Sequence, residues 1–444
     1  MGELKLYSMK YRVFTSLILP LLVFSLPVRA QKLIDSFDGY RMTLELDHPD
    51  HIYKIGEKIT ASLVMTLDGE PWNGTVKLKQ SKDYYKPSEK ITDLAVVDGK
   101  ALVETSLDEP GFIHIRTTYK TAAGNTLSQM VGAAVDPYSI KRSMECPADF
   151  DKYWKAQLKK QAAVPVNAVL TPADCKIKGV KVWDVQAQCL ECNFSGYLAI
   201  PENASPKSLP AMVLCHGAGV ASSRLSVAAK WAKEGIVVLD FNVHGLPNGE
   251  PQSYYANLRS TELKDYYLKD TQSVDSLFFR KMILRLMRAF DIVTDREEWD
   301  GKHLIAFGRS QGGAQALIAG GLDPRIKLVC AEIPALCDVT GYVAHRAAGW
   351  PKWPTIDKYG NITDEHTIEV SRYVDAINFV RNTKAEVYMT VGYIDVSCPA
   401  TGVFAVYNEI KTPKHMYHHT RLGHRQTPEG EEYVRQAVLE YIRK

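Results

Sequence analysis

The sequence lacks any concentration of positive charge. Its 444 residues carry 54 Lys and Arg against 51 Asp and Glu, which gives a formal net charge of only +3. No cluster of Lys and Arg stands out along the chain. Because nucleic-acid binding requires a concentrated basic surface, no nucleic-acid partner is expected.

Cysteine is also scarce, with eight in the whole chain. That number is too small for a fold held together by disulfides at this length. Cys189 and Cys192 form a single CxxC without a second pair or matching histidines, so no zinc site is expected there. No cofactor is expected either. A local disulfide between these two stays open. Cys215, Cys330 and Cys398 lie in or beside apolar runs and should be buried.

Long apolar runs are missing except near the beginning of the chain. Three basic residues precede the apolar segment 13–26, and a small-x-small pattern ends at residue 30. This order is typical of a secretory signal peptide over residues 1–30, and the segment is short for a membrane span. An uncleaved anchor is the alternative. We expect an exported protein, periplasmic or extracellular, that is not stably inserted in a membrane after cleavage.

The length predicts two domains after the signal peptide. From residue 31 to about 140, short alternating strands are separated by Gly-containing turns, and no helical stretch intervenes. This pattern is typical of a small all-β immunoglobulin-like sandwich. Nothing in it looks catalytic, so a structural spacer is expected. Contact of Trp72, Tyr84 and Tyr85 with a sugar is the alternative.

Residues 141–444 have the pattern of an α/β domain. An amphipathic helix at 149–158 and a hairpin at 180–200 precede alternating strands and helices. Such alternation predicts a mostly parallel sheet covered on both faces. The predicted strands are 211–215, 236–241, 304–307, 328–333, 387–391 and 415–419, and the predicted helices are 224–234, 277–294, 311–319, 400–408 and 431–443.

The clearest chemical signal is Gly308-Arg309-Ser310-Gln311-Gly312. It follows an apolar strand and precedes a small-residue helix, which is the context of a nucleophile elbow and predicts an α/β-hydrolase fold. Side chains at the two glycines would collide with neighbouring backbone in so sharp a turn. The turn would present Ser310 as the nucleophile and aim the Gln311 amide at an oxyanion. The alternative is an ordinary strand-to-helix turn whose serine has no catalytic role.

A serine hydroxyl needs a base, and that base needs a third group to orient it. In the α/β-hydrolase arrangement the acid and the histidine follow the serine in that order. Asp395 comes just after the strand 387–391, and His424 comes after the last strand. The predicted triad is therefore Ser310, Asp395 and His424. Asp338 is the alternative acid, although a carboxylate that fixes its own loop is favoured there.

A second oxyanion donor is expected from the loop after the strand 211–215. In Cys215-His216-Gly217-Ala218-Gly219 the glycines stand where backbone must approach the substrate closely. The Ala218 amide is the candidate partner of the Gln311 amide. His216 precedes the nucleophile and should shape this loop. The segments 247–271 and 350–359 should cover the site, with sugar stacking on their aromatic residues and plain loop packing both open.

Motifs beyond the elbow run through nearly the whole second domain. They are Pro147-x-Asp149-Phe150-Asp151-x-Tyr153-Trp154, Phe278-Phe279-Arg280-Lys281-Met282, Leu322-Asp323-Pro324-Arg325-Ile326-Lys327, Pro334-Ala335-Leu336-Cys337-Asp338, Val391-Gly392-Tyr393-Ile394-Asp395-x-x-Cys398-Pro399 and Val403-Phe404-Ala405-Val406-Tyr407-Asn408. With the elbow, they make the segment from Cys146 onward resemble the acetyl xylan esterase/cephalosporin C deacetylase family of carbohydrate esterases. The resemblance implies the same triad, oxyanion amides at Gln311 and Ala218, and no metal.

Five positions depart from that family's pattern. His244-Gly245-Leu246 stands where Arg-Gly-Gln is usual, Arg425 where Glu is usual, Ala218 where Tyr is frequent, and Arg309 where the elbow has Gly. The family also implies a homo-oligomer, a ring whose packing the N-terminal domain could block.

The intact triad predicts a secreted serine carboxylesterase that removes acetyl groups from acetylated xylan, xylo-oligosaccharides or related acylated sugars. One alternative is an esterase or peptidase of the same fold with another substrate. The other is an inactive carbohydrate-binding or scaffold protein, which would require a broken triad.

Overall fold

The computed structural model describes residues 35–444, which belong to one compact unit. The predicted signal peptide, residues 1–30, lies outside the described residues. Within the described part of the chain, no helix combines the length and the apolar character needed to cross a bilayer.

Residues 35–135 form two sheets of five strands each. The strands are β1 (Asp35–Phe37), β2 (Tyr40–Leu46), β3 (Ile52–Tyr53), β4 (Ile59–Leu67), β5 (Glu70–Pro71), β6 (Gly74–Lys82), β7 (Lys90–Val96), β8 (Lys100–Thr105), β9 (Gly111–Lys120) and β10 (Thr126–Val135). One sheet has the order β1-β2-β4-β5 with β8 also on β4, and the other has the order β3-β10-β9-β6-β7. The two sheets share one hydrophobic cluster, and we call this part the sheet pair.

Strand β4 illustrates why the sequence forms this layer. Every second residue from Ile59 to Met65 is buried, and the residues between them are at least partly exposed. Period-two burial of this kind is what a strand with one solvated face requires. Strand β9 differs, because all residues from Gly111 to Ile115 are buried. Both faces of β9 are therefore covered at that end.

The rest of the chain alternates between strands and helices around a sheet of nine strands. Its elements are α1 (Phe150–Ala162), β11 (Val169–Pro172), β12 (Val180–Cys189), β13 (Cys192–Pro201), β14 (Leu209–Cys215), α2 (Leu225–Ala232), β15 (Val237–Phe241), α3 (Gln252–Ser260), α4 (Phe278–Thr294), β16 (Trp299–Arg309), α5 (Gln311–Leu322), β17 (Leu328–Glu332), α6 (Glu365–Ser371), α7 (Ala376–Val380), β18 (Glu386–Gly392), α8 (Ala400–Glu409), β19 (Lys414–His419) and α9 (Pro428–Ile442). The strand order is β11-β12-β13-β15-β14-β16-β17-β18-β19. In this order, neighbouring strands from β15 through β14 to β19 pair in parallel. The strands β11, β12 and β13 pair antiparallel with one another, and β13 pairs antiparallel with β15.

The mixed α/β fold predicted for this part of the chain is confirmed. All six predicted strands of the parallel sheet are present, the first extended to Leu209 and the elbow strand lengthened to Trp299–Arg309. The helices α3, α6 and α7 were not predicted, because their segments are short and lack a clear apolar period. All eight cysteines are thiols, and Cys215, Cys330 and Cys398 are buried as expected.

The sheet pair packs directly against the segment that follows β18. His114 Nε2 lies 3.0 Å from the carbonyl oxygen of Tyr393. The Phe112 ring packs edge-on against the Tyr393 ring, with 5.2 Å between the centroids, and also contacts Phe404. The buried Asp83 carboxylate accepts a hydrogen bond of 2.6 Å from Thr401 on α8. These contacts join the two parts through a buried, hydrogen-bonded interface.

Three histidines around Tyr393 are held neutral by this interface. Burial lowers the pKa of His114 to about 3 and the pKa values of His51 and His418 to about 4. His114 can then donate one proton to the Tyr393 carbonyl without carrying a charge. An unfolded chain would instead bind protons at these histidines below their ordinary pKa of 6.5.

The effect of His114 on stability should therefore depend on pH. Its neutral form contributes fully above pH 6.5, and this contribution is lost as the pH falls towards its folded pKa of about 3. His114→Gln keeps a hydrogen-bond donor but cannot take up a proton. We expect its free energy of unfolding to fall less steeply with acidification than that of the wild type, by about 1 kcal/mol per pH unit.

Urea unfolding across this pH range measures the difference between the two slopes. His366→Gln, at an exposed position, is the control for the loss of a histidine as such. Parallel stability curves for His114→Gln and the wild type would contradict the prediction.

Candidate active site

Ser310 occupies a sharp turn between β16 and α5. It is the residue before the helix, with φ 59° and ψ −122°. A positive φ is costly for a residue with a side chain and persists only where the surroundings enforce it. Here the Ser310 amide donates to the Glu332 carbonyl at 2.9 Å, and its carbonyl accepts from the Ala335 amide at 3.0 Å. The turn is thus held by the end of β17 and the loop after it.

The two glycines of the elbow are required by backbone packing. A Cβ on Gly308 would lie 2.3 Å from the Gly312 carbonyl oxygen, and a Cβ on Gly312 would lie 2.2 Å from that of Cys215. Both distances are far below contact, and both neighbours are backbone that cannot rotate away. The start of α5 therefore lies directly on the end of β14, as the motif predicts.

The residues predicted as a triad come together. His424 Nε2 lies 2.8 Å from Ser310 Oγ, and His424 Nδ1 lies 2.6 Å from Asp395 Oδ2. With the proton on Nδ1, the imidazole donates to the carboxylate and accepts from the serine hydroxyl. That tautomer is the one in which the imidazole can take the serine proton.

The Asp395 carboxylate is fixed from within its own loop. The residue is 1% exposed, and its Oδ1 accepts from the amides of Ser397 at 2.8 Å and Cys398 at 2.9 Å. Oδ2 is left to accept from His424. A Cβ on Gly392 would lie 2.5 Å from the Gly423 carbonyl oxygen, so the absence of a side chain lets the histidine loop reach the acid.

Asp338, the alternative acid, is engaged elsewhere. Its Oδ1 accepts from the amide and the hydroxyl of Ser143 at 2.8 and 2.7 Å. Its Oδ2 accepts from the Arg346 guanidinium at 3.0 and 2.5 Å. Asp338 therefore fixes its loop, and Asp395 is the carboxylate that accepts a hydrogen bond from His424.

The two predicted oxyanion donors belong to two segments next to the serine. Gln311 is the first residue of α5, so its amide has no carbonyl partner within the helix. Ala218 lines the cavity that contains Ser310, in the loop after β14. The amide of a helix start and the amide of a nearby loop are donors suited to stabilising a developing negative charge.

His244 and Tyr266 hold the Ala218 loop, a role that was not predicted for either residue. The Gly219 amide donates to the Tyr266 hydroxyl at 3.1 Å, and His244 Nε2 lies 3.0 Å from the Gly219 carbonyl. Burial lowers the pKa of His244 to about 4, so the ring donates as a neutral group. Tyr266 also donates to the side chain of Gln311 at 3.3 Å. The only signal for His244 was its departure from the motif usual in the family.

His216 shapes this loop, as its place before the nucleophile predicts. Its Nε2 pairs closely with the buried carboxylate of Asp240, which also accepts from the Arg224 amide at 3.1 Å. Burial alone would raise the pKa of Asp240, but His216 and Arg224 outweigh it and the pKa is lowered. A charged carboxylate therefore anchors the loop from below.

The cavity beside Ser310 has a volume of about 710 Å³ and opens to solvent. Trp350 and Ser397 line it with the histidine. Of the aromatic residues expected to cover the site, Tyr255 and Tyr266 are buried in loop packing, whereas Trp350 reaches the cavity wall. Trp350 is thus the aromatic ring that a sugar could contact.

One group within residues 35–444 has three potential metal-ligand atoms within 4.8 Å of one another, and it is Asp395, Cys398 and His424. Both ring nitrogens of His424 and both oxygens of Asp395 already have hydrogen-bond partners. Burial raises the pKa of the Cys398 thiol well above its usual value, which disfavours the thiolate that a metal would need. The donor set therefore fits a hydrogen-bonded relay better than a metal centre.

Comparison with known families decides the class. A family model described as acetyl xylan esterase (AXE1) matches residues 135–444. The chain belongs to the acetyl xylan esterase family. It is therefore a carboxylic ester hydrolase, and the sequence-based resemblance and its expected enzyme class are confirmed.

The chain is also similar to individual members of this esterase family. Acetyl esterase Axe7A of Xylanibacter ruminicola is 28% identical over 422 residues, which cover 92% of this chain and 91% of that protein. A solved acetyl xylan esterase from Paenibacillus sp. R4 is 25% identical, with a TM-score of 0.60, and covers 69% of this chain and 98% of its own. Acetyl xylan esterase 1 from Thermoanaerobacterium sp. JW/SL YS485, 22% identical with a TM-score of 0.59 over 69% and 97% of the chains, shares the fold.

The packing of the elbow predicts that alanine has different effects on stability at Gly312 and at Gly217. Alanine in a helix is favoured over glycine by about 1 kcal/mol, but at Gly312 its Cβ would meet the Cys215 carbonyl at 2.2 Å. We expect Gly312→Ala to destabilise the protein by about 2 kcal/mol or more, because backbone must move. Gly217→Ala is the matched control, since the nearest atom to its Cβ is the Arg309 carbonyl oxygen at 3.7 Å.

Thermal unfolding of both variants tests the argument. The melting temperature of Gly312→Ala should fall clearly, and that of Gly217→Ala should stay near the wild type. Equal melting temperatures for the two variants would be incompatible with the steric account.

Proposed function

We propose that this family member is an exported serine carboxylesterase that removes acetyl groups from acetylated xylan, xylo-oligosaccharides or related acylated sugars. The observation that carries the proposal is the continuous hydrogen-bonded chain Asp395–His424–Ser310 at the wall of an open cavity. The names of the relatives support acetate as the acyl group.

In the first half-reaction Ser310 Oγ attacks the carbonyl carbon of the ester, and His424 Nε2 takes the hydroxyl proton. The ester oxygen gains negative charge, which the amides of Gln311 and Ala218 stabilise. The protonated imidazole then gives its proton to the leaving sugar oxygen. An acetyl group remains on Ser310.

In the second half-reaction water replaces the sugar. His424 removes a proton from that water, the hydroxide adds to the acetyl carbon, and acetate leaves as Ser310 regains its proton. Asp395 keeps its negative charge throughout and stabilises the imidazolium that forms in each half. Its burial and its two amide donors keep it aligned with Nδ1.

The sugar side of the substrate would occupy the remainder of the cavity. A volume of about 710 Å³ exceeds the needs of an acetyl group, and Trp350 offers a flat apolar face on its wall. Sugar rings stack well on such faces because their axial hydrogens are apolar. An acylated pyranose unit is therefore a better match to the cavity than a small aliphatic ester.

We also propose that residues 1–30 are a signal peptide, that 31–140 form an immunoglobulin-like sandwich domain and that 141–444 form the esterase domain. The two sheets within residues 35–135 and their shared core support the sandwich. The family match, which begins at residue 135, supports a catalytic part that starts near there. Export would give the enzyme access to polysaccharide in the periplasm or outside the cell.

Ser310→Ala tests the nucleophile. We expect acetate release from acetylated xylo-oligosaccharides, and from an aryl acetate, to fall about 10³-fold or more in turnover. The melting temperature should stay close to that of the wild type, because the change removes one oxygen at the cavity wall. Activity retained within about tenfold would exclude Ser310 as the nucleophile.

Asp395→Asn and Asp338→Asn separate the two candidate acids. Asparagine at 395 deprives the imidazole of its tautomer control and of the charge that stabilises imidazolium, so turnover should fall about 10³-fold or more. Asparagine at 338 weakens the ion pair with Arg346 and should lower stability more than turnover. The reverse order of turnover losses would make Asp338 the acid.

A further inference from the structure

The charged groups on the wall of the catalytic cavity are unevenly distributed. Arg224, Arg309 and Arg425 line it together with Ser310 and His424, and none of its lining residues is Asp or Glu. Asp240, Glu332 and Asp395 are buried behind this wall, and the exposed Glu431 pairs with Arg309 without lining the cavity. A substrate in the cavity therefore meets guanidinium groups and no carboxylate.

Two of these arginines already have carboxylate partners. Arg224 lies 2.9 Å from Asp240. Arg309 lies 2.7 Å from Glu332 and 2.7 Å from Glu431. Their charges are balanced within the protein, so neither requires an anion from outside.

Arg425 differs in this respect. Its side chain has no hydrogen-bond or ion-pair partner among residues 35–444, and the residue is exposed. Its position is nevertheless defined, because it follows His424 directly and its amide donates to the Gly423 carbonyl at 2.8 Å. An unpaired guanidinium thus extends along the cavity wall from a backbone position next to the imidazole.

From this arrangement we propose that Arg425 binds an anionic substituent of the acylated saccharide, so that acidic saccharides are preferred over neutral ones. The proposal rests on the proposed function, since it concerns the sugar side of the same reaction. A planar guanidinium can donate two parallel hydrogen bonds to one oxyanion group, which a neutral hydroxyl cannot match. The substituent is a carboxylate, as in a uronic acid, or a sulfate ester.

Recognition of this kind acts on binding more than on chemistry. The substituent is remote from the reacting carbonyl, so its contact with Arg425 is made equally in the ground state and in the transition state. Loss of this contact should therefore raise KM for the anionic substrate and change kcat little. Displacement of His424 by the same substitution would instead lower kcat for every substrate alike.

Three acetylated probes test the proposal: a methyl glucuronoside with a free carboxylate, its primary amide as the neutral match, and a methyl galactoside carrying a sulfate ester. For the wild type, kcat/KM on at least one anionic probe should exceed that on the amide by about tenfold. Added salt should reduce this ratio because it screens the charge pair. The probe that is preferred identifies the substituent as carboxylate or sulfate.

Substitutions test whether Arg425 causes the preference for anionic probes. Arg425→Gln should bring the ratio close to one through KM, and Arg425→Lys should retain part of it. Arg443→Gln is the matched control, since it removes the same charge at the far end of α9, about 22 Å along a helix of 15 residues. It should leave the ratio at the wild-type value.

The outcomes separate this inference from the function on which it rests. Equal kcat/KM on all three probes, or a preference that survives Arg425→Gln, overturns the role of Arg425, while hydrolysis of the neutral amide leaves the deacetylase function standing. If the enzyme cleaves an aryl acetate but none of the three saccharides, both proposals are overturned.

Discussion

The catalytic site depends on the close approach of two backbone segments, the start of α5 and the end of β14. Glycine at 312 lets the Cys215 carbonyl lie where a side chain would otherwise be. That contact keeps Ser310 in a conformation that an unconstrained serine would leave, and it sets the first amide of α5 beside the loop that begins at Cys215. This steric fit brings the nucleophile turn against the loop after β14, and hydrogen bonds with Ala335, Glu332, Tyr266 and His244 then hold the two segments in place.

A second level of support concerns the groups behind the reacting atoms. Asp395 is aligned by amides of its own loop, and that loop is contacted by the sheet pair two residues earlier, at Tyr393. In the loop after β14, the Gly219 amide donates to Tyr266 and the Gly219 carbonyl accepts from His244. These supports consist of neutral, buried donors and acceptors. Asp395 is thereby left to pair with His424, while Asp240 pairs with His216 and Arg224 beneath the loop.

The sequence was sufficient wherever the signal was local. The elbow, the strands that lead into it and the order of serine, acid and histidine follow from short patterns with a steric or chemical reason, and the structure brings all three side chains within hydrogen-bonding distance. Contacts between distant parts of the chain could not be read in this way. His114 and Tyr393 are 279 positions apart, and nothing near either residue signals the other. The helix α3 was missed for a related reason, because it is stabilised by burial of Tyr255 rather than by an apolar period of its own.

Strand β9 has a consequence for how separable the two parts of this enzyme are. Within it Ile113 and Ile115 belong to the core of the sheet pair, while the alternate residue Phe112 belongs to the core of the α/β part. One strand thus contributes side chains to two separate hydrophobic cores. A chain that began at residue 135 would expose Phe404 and Tyr393 to water. The catalytic part is therefore not expected to fold independently of the sheet pair. Any replacement for the sheet pair would have to reproduce the outer face of β9 before it could reproduce the fold.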